Sequence, residues 1–373
     1  MKINEIKNDL EILGLKDNIY LGLLLYLSMS VRKASHKISV LVTGPAGVGK
    51  SYIAKTVLDL APEEDVIAIS RMTPAALVRQ GDLSKKILYV YEKFGDEQFA
   101  QYIRELISEK KVIYETANAL HELIGPTTLI ETTTKPNLVN IENKSRCFVI
   151  AYNDSPQVLD SILTRQKLLR SREGLYLIDK SEEIKEKHRT FQVSLNSDIS
   201  VILPKDIKYT PICTHAPRIF ERIQNLISAI AFIDQGSRER ITHQGKVYIE
   251  ATREDFYIAK EILVNVKSDE DESIISAEIA EFLEVLMENK ETLCMRGTFS
   301  VSDVVDIVQR NNFKWRSHGK IKKLLCALSE LQLLTREDIR GRFNSISYRF
   351  SAEIPRRRFD AMTTCSYITL SLS

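Results

Sequence analysis

Hydrophobic and polar positions change period repeatedly along the first 155 residues. The opening 35 residues read as two amphipathic helices, about 4–13 and 17–34. Within the second, "IYLGLLLYLSMSV" (19–31) is a buried helix, too short and too broken by Tyr, Ser and Gly to span a bilayer. "ISVLVTG" (38–44) is a β-rich run leading into glycines, and "SYIAKTVLDLA" (51–61) returns to helical spacing. "DVIAIS" and "KKILYVYE" are short strands, "DEQFAQYIRELISEK" (96–110) is a helix, and "TTLIETT" and "CFVIAYN" are two more strands. Between them, "KVIYETANALHELIG" (111–125) reads as a hairpin about Ala117-Asn118. Strands alternating with helices predict a layered α/β fold with a parallel sheet.

After residue 155 the pattern becomes helical, most strongly in "PRIFERIQNLISAIAFI" (217–233) and "TREDFYIAKEILVNV" (252–266). The acidic run "KSDEDES" is the best linker candidate. It divides a first domain (1–266) from a linker (267–272), a second compact domain (273–352) and a loosely ordered tail (353–373). In the second domain "SVSDVVDIVQRNNF" (300–313) is a helix capped by Ser300 or Ser302. "WRSHGKIKKLLCALSELQLL" (315–334) is another, apolar at Ile321, Leu324, Leu325, Leu328 and Leu331. "LLTREDIRGRFNSISYRF" alternates like two strands around "RGRFN". Helix, turn, basic helix and wing predict a winged helix with Trp315 and Phe313 in its core. Its candidate DNA contacts are Arg316, Lys320 and Lys323 on the basic helix and Arg340 and Arg342 on the wing.

Composition narrows the class without choosing the function. With 44% hydrophobic and 27% charged residues over 373 positions, the chain is globular and long enough for two domains. A net charge of +2 does not itself imply a polyanionic partner. Five widely spaced cysteines support neither a zinc site nor a disulfide framework. "MKINEIKNDLE" lacks the basic-then-apolar order of a signal peptide, so a cytoplasmic protein with no membrane association is expected.

The chemistry starts at "GPAGVGKS", which fits GxxxxGK[ST] between a predicted strand and a predicted helix. Gly44, Pro45, Ala46, Gly47, Val48 and Gly49 form a phosphate cradle, Lys50 reaches the β- and γ-phosphates, Ser51 ligates Mg²⁺, and Tyr52 follows in the helix. The implied cofactors are ATP and Mg²⁺. A nucleotide-hydrolysing motor normally ends its third strand with Asp-Glu, whereas this one ends Tyr91-Glu92. Glu92 is placed to orient the attacking water. Tyr91 cannot supply the missing negative charge, so a working but weak metal site is expected. Asp96 and Glu97 read as helix-start residues.

Several segments in order carry a resemblance: "LVTGPAGVGKS", "KILYVYE", "SEKKVIYETANALHELIGPTTLIETTTKP", "ENKSRCFVIAYNDSP" and "RIFERIQNLISAIAFIDQ". Over roughly residues 5–350 the chain resembles AAA+ ATPases related to the minichromosome-maintenance (MCM) helicases. It is most similar to the helicase module that follows a zinc-finger primase in many bacterial and mobile-element proteins. The resemblance implies a helical lid after the sheet and a ring, expected to be a hexamer. It implies a γ-phosphate sensor at Thr133 or Thr134, an arginine finger at Arg146 and a second sensor at Arg218. It also implies that the hairpin grips single-stranded DNA in a central channel, here with Lys110, Lys111, Asn118 and His121 near it. The usual lysine at the tip is missing from "ETANAL". No zinc finger, primase module or N-terminal collar accompanies these segments, so priming or loading is expected from a separately encoded primase or polymerase.

Three functions fit these expectations. The leading one is an ATP-driven DNA helicase or translocase acting in replication. The second is a nucleotide-switched initiator, loader or regulator that binds DNA without processive unwinding. The third is an enzymatically inactive structural partner in a ring.

Overall fold

The computed structural model describes residues 1–70, 73–91, 97–109, 111–116, 119–125, 127–134, 146–152, 156–205, 207–211, 216–266, 277–293, 297–310, 315, 317–330, 334–339, 345–350 and 368–372. The chain divides into two compact units. The larger comprises Met1–Tyr209, Pro217–Asp269 and Leu370–Ser373, and the smaller Thr210–Ala216 and Glu270–Thr369.

The larger unit is built on a five-stranded parallel sheet. Its strands are β1 (Val40–Thr43), β2 (Val66–Ile69), β3 (Ile87–Tyr91), β6 (Thr128–Thr133) and β7 (Phe148–Ala151), in the order β2-β3-β6-β1-β7. Strands β4 (Lys111–Thr116) and β5 (Ala119–Ile124) form a separate antiparallel hairpin, with Thr116 opposite Ala119 as the two-residue connection requires. Helices flank both faces of the sheet, which is the α/β core of a P-loop-type fold. Leu41, Leu88, Val90, Leu129 and Val149 lie on one face, with Phe99, Ile103 and Leu106 of α5 (Glu97–Ser108). Alternate residues turn to the other face. There α2 (Ile19–Ser30), which follows α1 (Ile3–Leu10), and α3 (Lys50–Leu58) pack on the strands, and α4 (Pro74–Val78) comes between β2 and β3 in the chain.

Helix α2 is buried from Leu21 to Ser30, as its apolar run predicts, and is apolar all round. The run Ile3–Lys33 is long and apolar enough to pass for a membrane span, but most of it is inside the fold. A polar network ties this lead-in to the helix Arg172–Ser194. Tyr26 Oη is 2.7 Å from His188 Nδ1, and His188 Nε2 is 3.0 Å from Asp9 Oδ2. The fully buried Arg32 donates to Asp65 at 2.7 and 2.9 Å and to Gln192 Oε1 at 2.7 Å.

Two expectations need correction. The stretch between residue 155 and the linker, read as helical, is not purely so. It also holds a three-stranded sheet of Ile241–His243, Lys246–Glu250 and Ile199–Ile202. Those strands are three to five residues long and partly exposed, too short to show alternation in the sequence. The tail is not structureless throughout, because Ile368–Leu372 is a strand, as its alternating Ile, Leu and Leu permit.

The smaller unit has helices Ala277–Glu288, Lys290–Leu293, Val301–Arg310 and His318–Glu330. Strand Ser345–Phe350 lies between Phe299–Ser300 and Leu334–Ile339, antiparallel to both. Ser300 caps the helix after it: its Oγ accepts from Asp303 N at 3.3 Å, and Asp303 Oδ2 accepts from Ser300 N at 2.6 Å. Trp315 is 1% exposed and meets Phe282 edge-on at 5.2 Å, so it belongs to the core. Phe313, Leu331, the linker 267–272 and the turn 340–344 lie outside the described residues.

Candidate nucleotide site

All five strands of the main sheet run the same way, so their carboxyl ends share one edge, where such sheets bind ligands. The loop after β1 lies on that edge. Gly44 has φ 146°, and a Cβ there would stand 2.0 Å from the Tyr152 carbonyl oxygen, so only glycine fits. Gly47 (φ 83°) and Gly49 (φ 96°) also take left-handed conformations and turn the loop into the helix. Val48 is buried and anchors the loop, while Pro45, Ala46 and Gly47 are exposed. Lys50 is buried, and its ammonium donates to the carbonyls of Gly44 (2.7 Å) and Pro45. Burial holds its pKa below the ordinary lysine value. Ser51 and Tyr52 are exposed in the first turn of α3, where backbone N–H groups lack intrahelical acceptors.

These features fit a triphosphate. The glycines leave the cradle free of side chains, the helix start offers N–H groups, and Lys50 can exchange its two carbonyls for phosphate oxygens. Ser51 supplies the hard oxygen donor that Mg²⁺ prefers. Among the described residues no cluster of three His, Cys, Asp or Glu side chains forms another metal site.

The end of β3 brings an unexpected residue into play. Tyr89 and Tyr91 point to the α3 side with rings 5.5 Å apart, and the Lys55 ammonium lies 5.7 Å from the centre of the Tyr91 ring. The phenol that reaches toward Ser51 belongs to Tyr89. Its hydroxyl is buried between Ser51 and Thr132 without meeting either in good hydrogen-bond geometry. Burial raises the Tyr89 pKa, and those two hydroxyls oppose the rise. Tyr91 is in register with Thr132, and Thr43 with Thr133. Thr133 is therefore buried on the opposite face, toward α5, while Thr134 is exposed just past the strand end. Tyr89 and Thr132 were missed because nothing in the sequence states the register between β3 and β6. Glu92 lies outside the described residues.

Arg146 and Arg218 meet at the other edge of the sheet. Arg146 immediately precedes β7, and Arg218 lies in the first turn of the helix Ala216–Ile233. Both line a cavity of about 470 Å³ that also includes Ser39, just before β1. Arg146 Nε donates to Ser108 Oγ at 2.6 Å. Burial lowers the Arg146 pKa, and the charges of Arg218 and Arg104 push the same way. Arg222, one turn beyond Arg218, donates to the Cys147 carbonyl and lies 5.5 Å over the Phe148 ring. From Ser39 to Gly44 the extended chain covers about 16 Å, so this pocket stands a full strand length from the phosphate loop of the same chain.

Lys111 is paired across the hairpin with Glu122. His121 stands opposite Tyr114 in β5, and Lys110 and Asn118 lie outside the described residues. Lys320 and Lys323 are exposed on the helix His318–Glu330. Arg316, Arg340 and Arg342 lie outside the described residues.

In comparison with known proteins, no family model matches the chain and no curated sequence matches it.

Proposed function

We propose that this chain is an ATP-driven DNA helicase or translocase of the MCM-like AAA+ type, acting in the cytoplasm in replication, of a mobile element, as a hexameric ring. The observation that carries the reading is the shared cavity of Arg146 and Arg218 at the sheet edge away from the phosphate loop. Neither arginine can serve the loop of its own chain. On this reading both serve the loop of a second copy, and hydrolysis becomes a property of assembly.

In that arrangement the loop N–H groups and Lys50 hold the β- and γ-phosphates, and Ser51 gives Mg²⁺ an oxygen ligand. Glu92 orients the attacking water, and of the two candidate sensors at the end of β6 the exposed Thr134, rather than the buried Thr133, meets the γ-phosphate. Arg146 and Arg218 of the adjacent copy neutralise charge that develops on the phosphoryl oxygens. The helices Ala216–Ile233 and Arg253–Asn265 act as the lid. The smaller unit is a winged helix that contacts duplex DNA through Arg316, Lys320, Lys323, Arg340 and Arg342. The hairpin holds single-stranded DNA through Lys110, Asn118 and backbone N–H groups, because Lys111 is already engaged by Glu122.

Mixing two inactive proteins tests the shared site. Arg146→Ala protein keeps a whole phosphate loop, and Lys50→Ala protein keeps a whole arginine pocket. Combined, they recover part of the ATPase activity, because some interfaces are intact. No recovery at any mixing ratio, with both proteins folded, would sink the reading. The absence of a carboxylate at Tyr91 favours a second reading, a slow nucleotide switch that loads on DNA. DNA-stimulated ATP turnover without strand displacement would select it.

A further inference from the structure

The cavity that holds Arg146 and Arg218 is also lined by Ser39 and His36. Ser39 is 4% exposed, and its Oγ has no hydrogen-bond partner among the described residues. His36 Nε2 is likewise buried without a partner among them. Its imidazole is held neutral, with a pKa pushed down to about 4 by burial and by Lys37. Buried polar atoms in native proteins nearly always find a partner, so two of them lining one cavity mark a place where something binds. Arg222 forms the adjoining wall, already fixed by Cys147 and Phe148. Lys37 adds charge but not contact, because its ammonium donates to the carbonyls of Arg32, Ala34 and Ser84. Among the described lining residues, Glu221 is the single carboxylate against three arginines and Lys37. Gathering guanidinium groups in a partly dry cavity is costly, and a multivalent anion relieves that cost. Planar forks beside serine hydroxyls suit phosphate, and about 470 Å³ is a small-molecule volume.

We infer that this cavity is a second phosphate site on each chain, which takes a free phosphate-bearing anion in the unassembled protein, with Ser39 and His36 as its floor. The inference rests on reading Arg146 and Arg218 as phosphate ligands and extends that reading in two ways. It adds the floor residues, and it makes the pocket complete within one chain. The phosphate could come from a free polyphosphate or from the nucleotide bound to a neighbouring copy, and the two sources are separable.

Pyrophosphate is titrated calorimetrically into monomeric Lys50→Ala protein, whose own phosphate loop is crippled. The expected result is one pyrophosphate per chain. Adding Ser39→Ala should weaken binding about fivefold and adding Arg218→Ala at least about tenfold, as for lost hydrogen bonds to a charged ligand. Ser39→Ala removes one buried hydroxyl and decides the matter alone if the arginine variant fails to fold. No binding, or binding that neither substitution weakens, overturns the inference. If pyrophosphate does not bind but mixed Arg146→Ala and Lys50→Ala proteins recover turnover, the cavity serves only a neighbour's nucleotide. The inference then falls and the proposed function stands. Binding that responds to Ser39→Ala, without recovered turnover, keeps the second site and removes the shared one.

Discussion

The two edges of the parallel sheet are made by different means. At the carboxyl edge the chain uses backbone: three glycines in left-handed conformations, one helix start and a lysine bound to its own loop. At the amino edge it uses side chains from four separate segments, around Ser39, Ser108, Arg146 and Arg218. A backbone cradle needs residues that are adjacent in sequence, because consecutive N–H groups must converge. A side-chain pocket needs only that the fold bring distant residues together. The first therefore tolerates almost no substitution at its glycines, whereas the second loses function one contact at a time.

The sharpest break is Gly44→Ala. The added methyl meets the Tyr152 carbonyl at 2.0 Å in a backbone conformation that alanine avoids. We expect about 3–5 kcal/mol of destabilisation by thermal unfolding. ATP binding should be lost, with pyrophosphate binding at the amino edge retained wherever the protein stays folded. Next in size, Arg146→Ala should lower ATP turnover about 10³-fold while leaving nucleotide affinity nearly unchanged. Steady-state hydrolysis set beside equilibrium nucleotide binding checks both halves, and equal loss in both would mean that the two edges are not separate.

A smaller effect belongs to Lys37, whose ammonium satisfies three carbonyls next to the arginine pocket. Lys37→Met should cost about 1–3 kcal/mol. Burial pushes the Lys37 pKa down to about 8, with Arg32 and Lys85 adding to the shift. Between that value and the ordinary lysine range the unfolded chain holds more protons than the folded one. This group therefore adds stability as pH rises through that window and adds none below it. Denaturant midpoints at pH 7.5 and 10, compared between wild type and Lys37→Met, read the difference in slope. The smallest expected change is at the weak metal site. Tyr91→Asp should lower the Mg²⁺ needed for half-maximal phosphate release about tenfold, with Glu92→Gln as the inactive control that sets the background. If wild type and Glu92→Gln release phosphate equally at every Mg²⁺ concentration, the chain is a nucleotide-bound scaffold.

Local pattern was enough to locate the strands of the main sheet, the hairpin and the phosphate loop. Each depends on contacts between near neighbours: alternation in "ILYVY", glycines beside a helix start, and two residues left to turn between β4 and β5. The long helix Arg172–Ser194 and the small sheet after it were not legible. Their apolar residues are few, and several are exposed. In the smaller unit, Trp315 could be assigned to the core because a large aromatic between two apolar helices has few other places to go.

By itself, then, the sequence determined a phosphate loop between a strand and a helix, a parallel α/β layer and a basic helix in a second compact region. Those properties follow from residues close together in the chain. Only the tertiary structure decided that β6 lies between β1 and β3, and hence that the Tyr89 hydroxyl lies against Thr132 and Ser51. It alone decided that Arg146, Arg218 and Ser39 share a cavity at the edge opposite the loop. Strand order and register are chosen by closing long loops around a common core, a balance of chain entropy against burial that no local periodicity records.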